Sequence, residues 1–219
     1  MYSVLLIGLG NISVHYDFIN SEDKTLTHAK AFSENDSFYL IGGVDLEESK
    51  RNFFESKYKV KSFSSIDEIF LSLKPDVIVI ATPTDKHYET FLKILKNFQP
   101  KAIICEKPIS NQYSESVEIV NLCKNNNIKL IINYPRLTEP SLLKIEENIR
   151  NKTYELPLKG TIWYSKGLLN GGIHFVNLIM RLFGNVQEFK ITEKCIYDYD
   201  IKKFAPSFKL CFEDASIDF

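Results

Sequence analysis

The chain has 219 residues, 44% hydrophobic and 25% charged, with a formal net charge of -1 and a pI near 6.4. That length can bury the core of one large domain or two small ones, and a near-neutral balance without a basic patch excludes an electrostatic case for nucleic acid or an anionic membrane as partner. Cys105, Cys123, Cys195 and Cys211 lie far apart with no C-x-x-C pair, which excludes a zinc site or a disulfide framework, predicts no metal, and suits a reducing compartment.

The opening apolar run, Val4-Leu5-Leu6-Ile7, is too short for a signal-peptide core, and no run reaches transmembrane length. The expected location is the cytoplasm. Over residues 1–135 short apolar runs alternate with amphipathic segments, the pattern of βαβ units and a parallel sheet. Strands are expected at 3–7, 39–44, 76–81, 101–105 and 129–133, and helices at 27–33, 47–58, 66–73, 86–97 and 113–125. Ser65 with Glu68, and Ser110 ahead of the 113–125 segment, supply helix-start signals. Residues 20–25 are polar and read as a loop.

Gly8-Leu9-Gly10-Asn11-Ile12-Ser13 follows the first strand. Gly8 and Gly10 permit a tight turn and close backbone approach, so amides at Asn11 and Ile12 can hold a diphosphate at a helix start. Ser13 replaces the third glycine of the usual fingerprint, and taken alone the motif fits a plain strand–turn–helix equally well. Asp45 ends the second strand, where a carboxylate can accept bonds from both ribose hydroxyls and repel a 2′-phosphate. The nearest downstream arginine, Arg51, lies well into the following helix, which favours NAD over NADP. The alternative for Asp45 is a cap for that helix. Further on, Ala81-Thr82-Pro83-Thr84 offers small and hydroxyl residues against which a nicotinamide ribose can lie; His87 is counted with these cofactor-binding residues, although taken alone it reads as a structural or capping histidine.

Ile103-Ile104-Cys105-Glu106-Lys107-Pro108 is the most informative stretch. A short apolar run reads as a buried strand, so its polar end lies at the carboxyl edge of the sheet, where open α/β sheets bind ligands. Lys107 stands where a proton donor would be placed, against the alternative of a solvated surface lysine, and the X–Pro bond after it is of the type in which a cis peptide is cheap. Glu106, on the opposite face of the strand, reads as a cofactor or structural contact. Asn133, Tyr134 and Arg136 follow the last strand and face the cleft; Arg136 is either a two-pronged clamp for a carboxylate or phosphate, or half of a surface salt bridge.

The pattern changes after Tyr134-Pro135-Arg136. A helix at 140–151, a strand at 159–164, a helix at 171–183 and strands at 186–197 and 207–213 read as an antiparallel α+β unit, with strand-like alternation resuming at 216–219. The expected division is 1–135 and 136–219. The expected fold class is therefore α/β: an N-terminal Rossmann parallel sheet, then an α+β open-sheet domain of about three strands that looks truncated, its next strand cut short and an edge left unpaired.

Gly8-Leu9-Gly10, Ala81-Thr82-Pro83-Thr84-Asp85-Lys86-His87, Cys105-Glu106-Lys107-Pro108-Ile109-Ser110 and Asn170-Gly171-Gly172-Ile173-His174, in that order and spacing, resemble the Gfo/Idh/MocA family of NAD(P)-dependent sugar oxidoreductases. The resemblance implies a Rossmann domain and an open α+β domain with the active site between them, NAD as cofactor, and a sugar or nucleotide-sugar substrate, such as one used in polysaccharide biosynthesis. It also implies a homo-oligomer built through the second sheet. It makes Lys107 the catalytic lysine before a cis proline and His174 its acid/base partner. Asn170 and Asn177 stand where many members carry Asp, and an amide cannot take a proton, so a carboxylate-assisted relay does not carry over.

Hydride transfer between nicotinamide and a carbinol carbon requires removal of the hydroxyl proton. His174 is suited to that by residue type, because histidine as a class titrates near the operating pH. A helix that already includes Asn170 puts Asn170 and His174 one turn apart on one face, with Asn177 close by. Lys107 can steady the developing alkoxide. The bland reading of His174 is a helix-start histidine packed on the sheet. Two other functions stay open at this level: an inactive NAD-binding sensor or partner subunit, and an S-adenosylmethionine-dependent methyltransferase, for which the lysine–proline strand end would have no purpose.

Overall fold

The computed structural model describes residues 1–19, 24–69, 72–198 and 203–219, and the chain divides into two compact units, Met1–Asn133 and Tyr134–Phe219. In the first, β1 (Tyr2–Ile7) runs into a π-helical turn (Asn11–His15) and the short α1 (Tyr16–Ile19). Then follow α2 (His28–Ser33), β2 (Phe38–Val44), α3 (Glu48–Tyr58), β3 (Ser62–Phe63), β4 (Val77–Ile80), α4 (His87–Asn97), β5 (Ala102–Glu106), α5 (Tyr113–Asn125) and β6 (Lys129–Asn133). The strands form one sheet in the order β3-β2-β1-β4-β5-β6, with parallel pairing throughout. Chain direction across the sheet reverses between β1 and β4, the switch point of a doubly wound fold.

Strand periodicity divides the core. Leu5 and Ile7 of β1 join Ile78, Ile80, Phe91, Ile94 and Ile119 on one face, while Val4 and Leu6 join Val77, Val79, Phe54 and Ala29 on the other. Burial on both faces is why these strands read as unbroken apolar runs.

Local details depart from the sequence reading. The expected 66–73 helix is a single 3-10 turn, Ile66–Glu68, with Phe70 and Leu71 outside the described residues. Glu68 is held by Ser64, through its hydroxyl and its backbone N–H, rather than by Ser65. Helix α5 starts from Gln112; Ser110 Oγ accepts from the Gln112 amide at 3.0 Å and donates to Glu115, so it braces the start from one step upstream. Most of the loop expected at 20–25 lies outside the described residues.

The second unit opens with a 3-10 turn (Pro135–Thr138), α6 (Pro140–Arg150) and β7 (Leu158–Thr161). A π-helical turn (Leu168–Gly172) leads into α7 (Ile173–Phe183), followed by β8 (Glu188–Asp198), β9 (Lys203–Cys211) and β10 (Ala215–Asp218). The sheet order is β7-β10-β9-β8, with β10 parallel to β7 and antiparallel to β9. Two expectations are corrected here. The sheet is mixed rather than antiparallel, and the residues read as a cut-short strand form an inner strand, hydrogen-bonded on both sides. Strand β9 also begins ahead of Pro206, which lies at a shift in the β8–β9 register, where a missing N–H breaks no regular ladder.

Helix α7 covers one face of this sheet through Ile179, packed with Phe208, Leu210, Phe212, Ile217 and Phe219. No helix among the described residues is long and apolar enough to cross a membrane.

Candidate dinucleotide and active-site residues

The glycine turn is fixed by close approach. Gly8 has φ +91°, and a Cβ there would stand 2.6 Å from the carbonyl carbon and oxygen of Ala81, just past β4. No side chain fits in that space, so the turn after β1 lies directly against the β4 exit. Gly10 is the reverse case, with nothing within 4 Å of where its Cβ would be. Asn11 and Ile12 open the helical turn that follows, and Ser13 is fully buried within it. The Ser13 Oγ and Thr82 Oγ1 atoms, on the two sides of the switch point, are buried without a hydrogen-bond partner among the described residues. Open space over Gly10 fits the bulk of a diphosphate held at a helix start.

Asp45 lies one residue past β2. Its Oδ2 accepts from the Leu9 amide at 2.8 Å and its Oδ1 from the Glu47 amide at 2.9 Å. It therefore ties the second strand's exit to the glycine turn. The N-cap of α3 is Glu47, so the capping alternative for Asp45 is corrected to an Asx-type turn that precedes the helix. Arg51, although inside α3, folds back: its Nη1 donates to the carbonyls of Asp45 and Leu46, both at 2.9 Å. Leu46 is 87% exposed beside this acid.

Past β4, Pro83 precedes a 3-10 turn (Thr84–Lys86), and His87 begins α4 with only 1% of its surface exposed. Its ring nitrogens face two backbone carbonyls, Nδ1 to Pro108 at 3.0 Å and Nε2 to Thr82 at 2.9 Å. The expectation that His87 also contacts the cofactor is corrected: the ring is buried within the protein and braces the exits of β4 and β5. Cys105 packs against the same ring, and burial pushes its thiol far above the ordinary range, leaving it inert.

Glu106 closes β5. Its Oε1 accepts from His28 Nε2 at 2.8 Å and from Asn133 Nδ2 at 2.7 Å, the second bond joining residues directly paired across β5 and β6. Burial pushes the Glu106 carboxyl up, but the bonds from His28 and Asn133, with the His28 and Lys107 charges, outweigh it and hold the group below its ordinary value. Lys107 follows, half-buried, and the Lys107–Pro108 peptide is cis. His28 is the residue that the sequence reading omits. A signal for it existed: in a parallel sheet a crossover helix starts at the carboxyl edge, so the first residue of α2 and the last of β5 share that edge.

In the second unit the π-helical turn carrying Asn170 passes into α7, with His174 and Asn177 on the continuing helix. Gly171 permits this path, since a Cβ there would meet the Ser165 carbonyl oxygen at 1.9 Å. Asn170, His174 and Asn177 are half-buried, and Asn177 Oδ1 has no hydrogen-bond partner among the described residues. The His174 ring meets Tyr134 edge-on, centroids 6.0 Å apart, and burial raises the Tyr134 hydroxyl above its usual range. Arg136 places its guanidinium 4.8 Å from the Phe175 ring centre, a cation–π contact in place of the salt bridge considered for it. In each unit the candidate residues therefore gather: Gly8, Asp45, Thr82 and His87 around the switch point, Glu106 with Asn133, and Tyr134 with His174.

Residues 2–134 match the profile of an oxidoreductase family with an NAD-binding Rossmann fold. The chain is 27% identical over 122 residues to inositol 2-dehydrogenase of Rhizobium meliloti (strain 1021), covering 56% of this chain and 36% of that protein. It is 26% identical over 145 residues to 2,7-anhydro-N-acetylneuraminate hydratase of Escherichia coli (strain K12), covering 58% and 38%. Among solved structures, the WlbA dehydrogenase from Bordetella pertussis in complex with NADH and UDP-GlcNAcA superposes with a TM-score of 0.81 at 16% identity, over 99% of this chain and 66% of that one. The chain thus spans less than half of the curated relatives it matches and about two thirds of this structural neighbour. With the profile covering more than half of its residues, the chain belongs to the Gfo/Idh/MocA oxidoreductase family, with that family's NAD-binding Rossmann fold.

Proposed function

We propose that this chain serves an NAD-linked dehydrogenase acting on a hydroxyl or keto carbon of a sugar or nucleotide sugar. One observation carries the reading: Lys107 directly follows β5 at the carboxyl edge of the sheet, where the turn carrying Gly8 and Gly10, with open space over Gly10, and Asp45 fit a dinucleotide. The substrate class is supported by the polyol and nucleotide-sugar names of the inositol 2-dehydrogenase and WlbA proteins.

Bound NAD would supply the hydride acceptor. The chain's own residues bind and handle protons. Amides of the turn at Gly10–Ile12 hold the diphosphate, and Asp45 accepts from the ribose hydroxyls with the lone pairs that Leu9 and Glu47 leave open. Ala81 to Thr84 and Glu106 line the other nucleotide half. His174, assisted in orientation by Tyr134 and Asn170, takes the hydroxyl proton. Lys107 stabilises negative charge that develops on a reacting oxygen. Asn133, Tyr134, Arg136 and Asn177 are the substrate-binding residues of this reading.

The test is NADH formation with myo-inositol and with UDP-GlcNAcA, comparing wild type with Lys107→Ala and His174→Ala. Each substitution is expected to lower kcat/KM by about 10²-fold or more. NAD binding without any lysine-dependent turnover would favour the sensor or partner-subunit reading. The hydratase name of the E. coli relative is the reason for measuring NADH itself.

A further inference from the structure

In the reading above Glu106 only lines one nucleotide half, and the buried pairing that fixes it there has no task. Its two donors come from distant parts of the chain: His28 from the helix after the glycine turn, Asn133 from the last strand of the sheet. The His28 and Glu106 side chains are 11% and 14% exposed. Two hydrogen bonds converge on one oxygen, so the acid is fixed in position as well as in charge. Burial alone would push Glu106 toward the neutral form, yet its partners keep it ionised.

A doubly wound sheet binds one nucleotide on each half, and Glu106 terminates β5, in the half opposite Asp45. The nicotinamide ring carries a positive charge when oxidised and none when reduced. A fixed carboxylate on that half attracts the first form and is indifferent to the second. In a poorly screened site one such charge outweighs a hydrogen bond. The Lys107 ammonium, next in the chain, and the His28 ring when it carries a second proton offset part of the field, so the net effect is moderate.

Building on the dinucleotide reading above, we propose that Glu106, fixed by His28 and Asn133, determines the redox preference of the bound cofactor, favouring NAD+ over NADH. The acid acts as a specificity-determining residue between two forms of one ligand and takes no proton in the reaction.

The experiment measures dissociation constants for NAD+ and NADH, by calorimetry and by NADH fluorescence, on the full chain. Glu106→Gln keeps the size and an accepting oxygen but removes the charge. It is expected to weaken NAD+ relative to NADH by about 5- to 10-fold; a tenfold change corresponds to about 30 mV in the midpoint potential of the bound two-electron couple. Glu106→Asp keeps the charge and is expected to retain most of the preference. Should Glu106→Gln fail to fold, the pair Glu106→Gln with His28→Gln restores neutral hydrogen bonding and carries the same expectation. An unchanged ratio in the neutral variant, or equal weakening of both forms, overturns the proposal while leaving the dinucleotide reading intact. If neither form binds the wild-type chain, the dinucleotide reading fails and this inference with it.

Discussion

Two acids stand at the carboxyl edge of the first sheet, and they are held in opposite ways. Asp45 leans on backbone: the amides of Leu9 and Glu47 each bond one oxygen. Glu106 leans on side chains: His28 and Asn133 share a single oxygen. Backbone donors come with the fold and cost nothing to position once the turn is formed. Side-chain donors must be ordered, lose rotamer freedom, and are left stranded in a poorly hydrated place if the acid is removed. Asp45 is thus part of the turn's architecture, whereas Glu106 is the centre of a cluster that depends on it.

The sharpest way to break the Asp45 side is at Gly8. With φ +91° and a Cβ that would sit 2.6 Å from Ala81 backbone atoms, Gly8→Ala should cost on the order of 3–4 kcal/mol in denaturant unfolding and abolish dinucleotide binding. A loss below about 1 kcal/mol would mean that the turn can move away from β4. The next largest effect belongs to the cluster. Glu106→Ala strands the His28 and Asn133 donors and is expected to cost about 2–3 kcal/mol, against about 1–2 kcal/mol for Asp45→Ala. Equal losses would remove the distinction between the two acids.

The smallest effect sharpens the contrast from the opposite edge of the sheet. Asp76, just ahead of β4, accepts from the Ser3 amide at 2.9 Å and from Lys101 at 2.8 Å. The Lys101 bond, then the Ser3 bonds, pull its carboxyl down to about 2 from 3.8. A depressed folded value means that the stabilisation is complete above the unfolded value and fades as pH falls from about 4 toward about 2. Asp76→Asn should flatten that part of a plot of Tm against pH. Because Lys101 is mostly exposed, the change should be slight and should shrink with added salt.

The strands of the first unit were legible because each is buried on both faces, so Val4–Ile7 or Val77–Ile80 appears as an apolar run with polar punctuation. β3 escaped notice because two residues, Ser62 and Phe63, carry no period. β9 looked shorter than it is because Pro206 argues against a strand, and only the register shift beside it shows why it is tolerated. β10 looked like a remnant because its neighbours, β7 and β9, are set by pairing that no local pattern encodes. At the candidate site, Gly8, Asp45, Lys107 and His174 announced themselves through strand-end or helix-start position. The His28–Glu106 bond spans 78 residues and has no motif. Arg51 was judged by its distance along the helix, although a long side chain can reach back over a turn and a half.

The brace at His87 has one more consequence. Its imidazole is sealed from solvent and spans the exits of two neighbouring strands, a ring nitrogen facing a carbonyl at each. The spacing between those exits is thus set from within the protein, before any ligand arrives. A visiting cofactor meets a rim already cut to size, and little of its binding energy need go into shaping it.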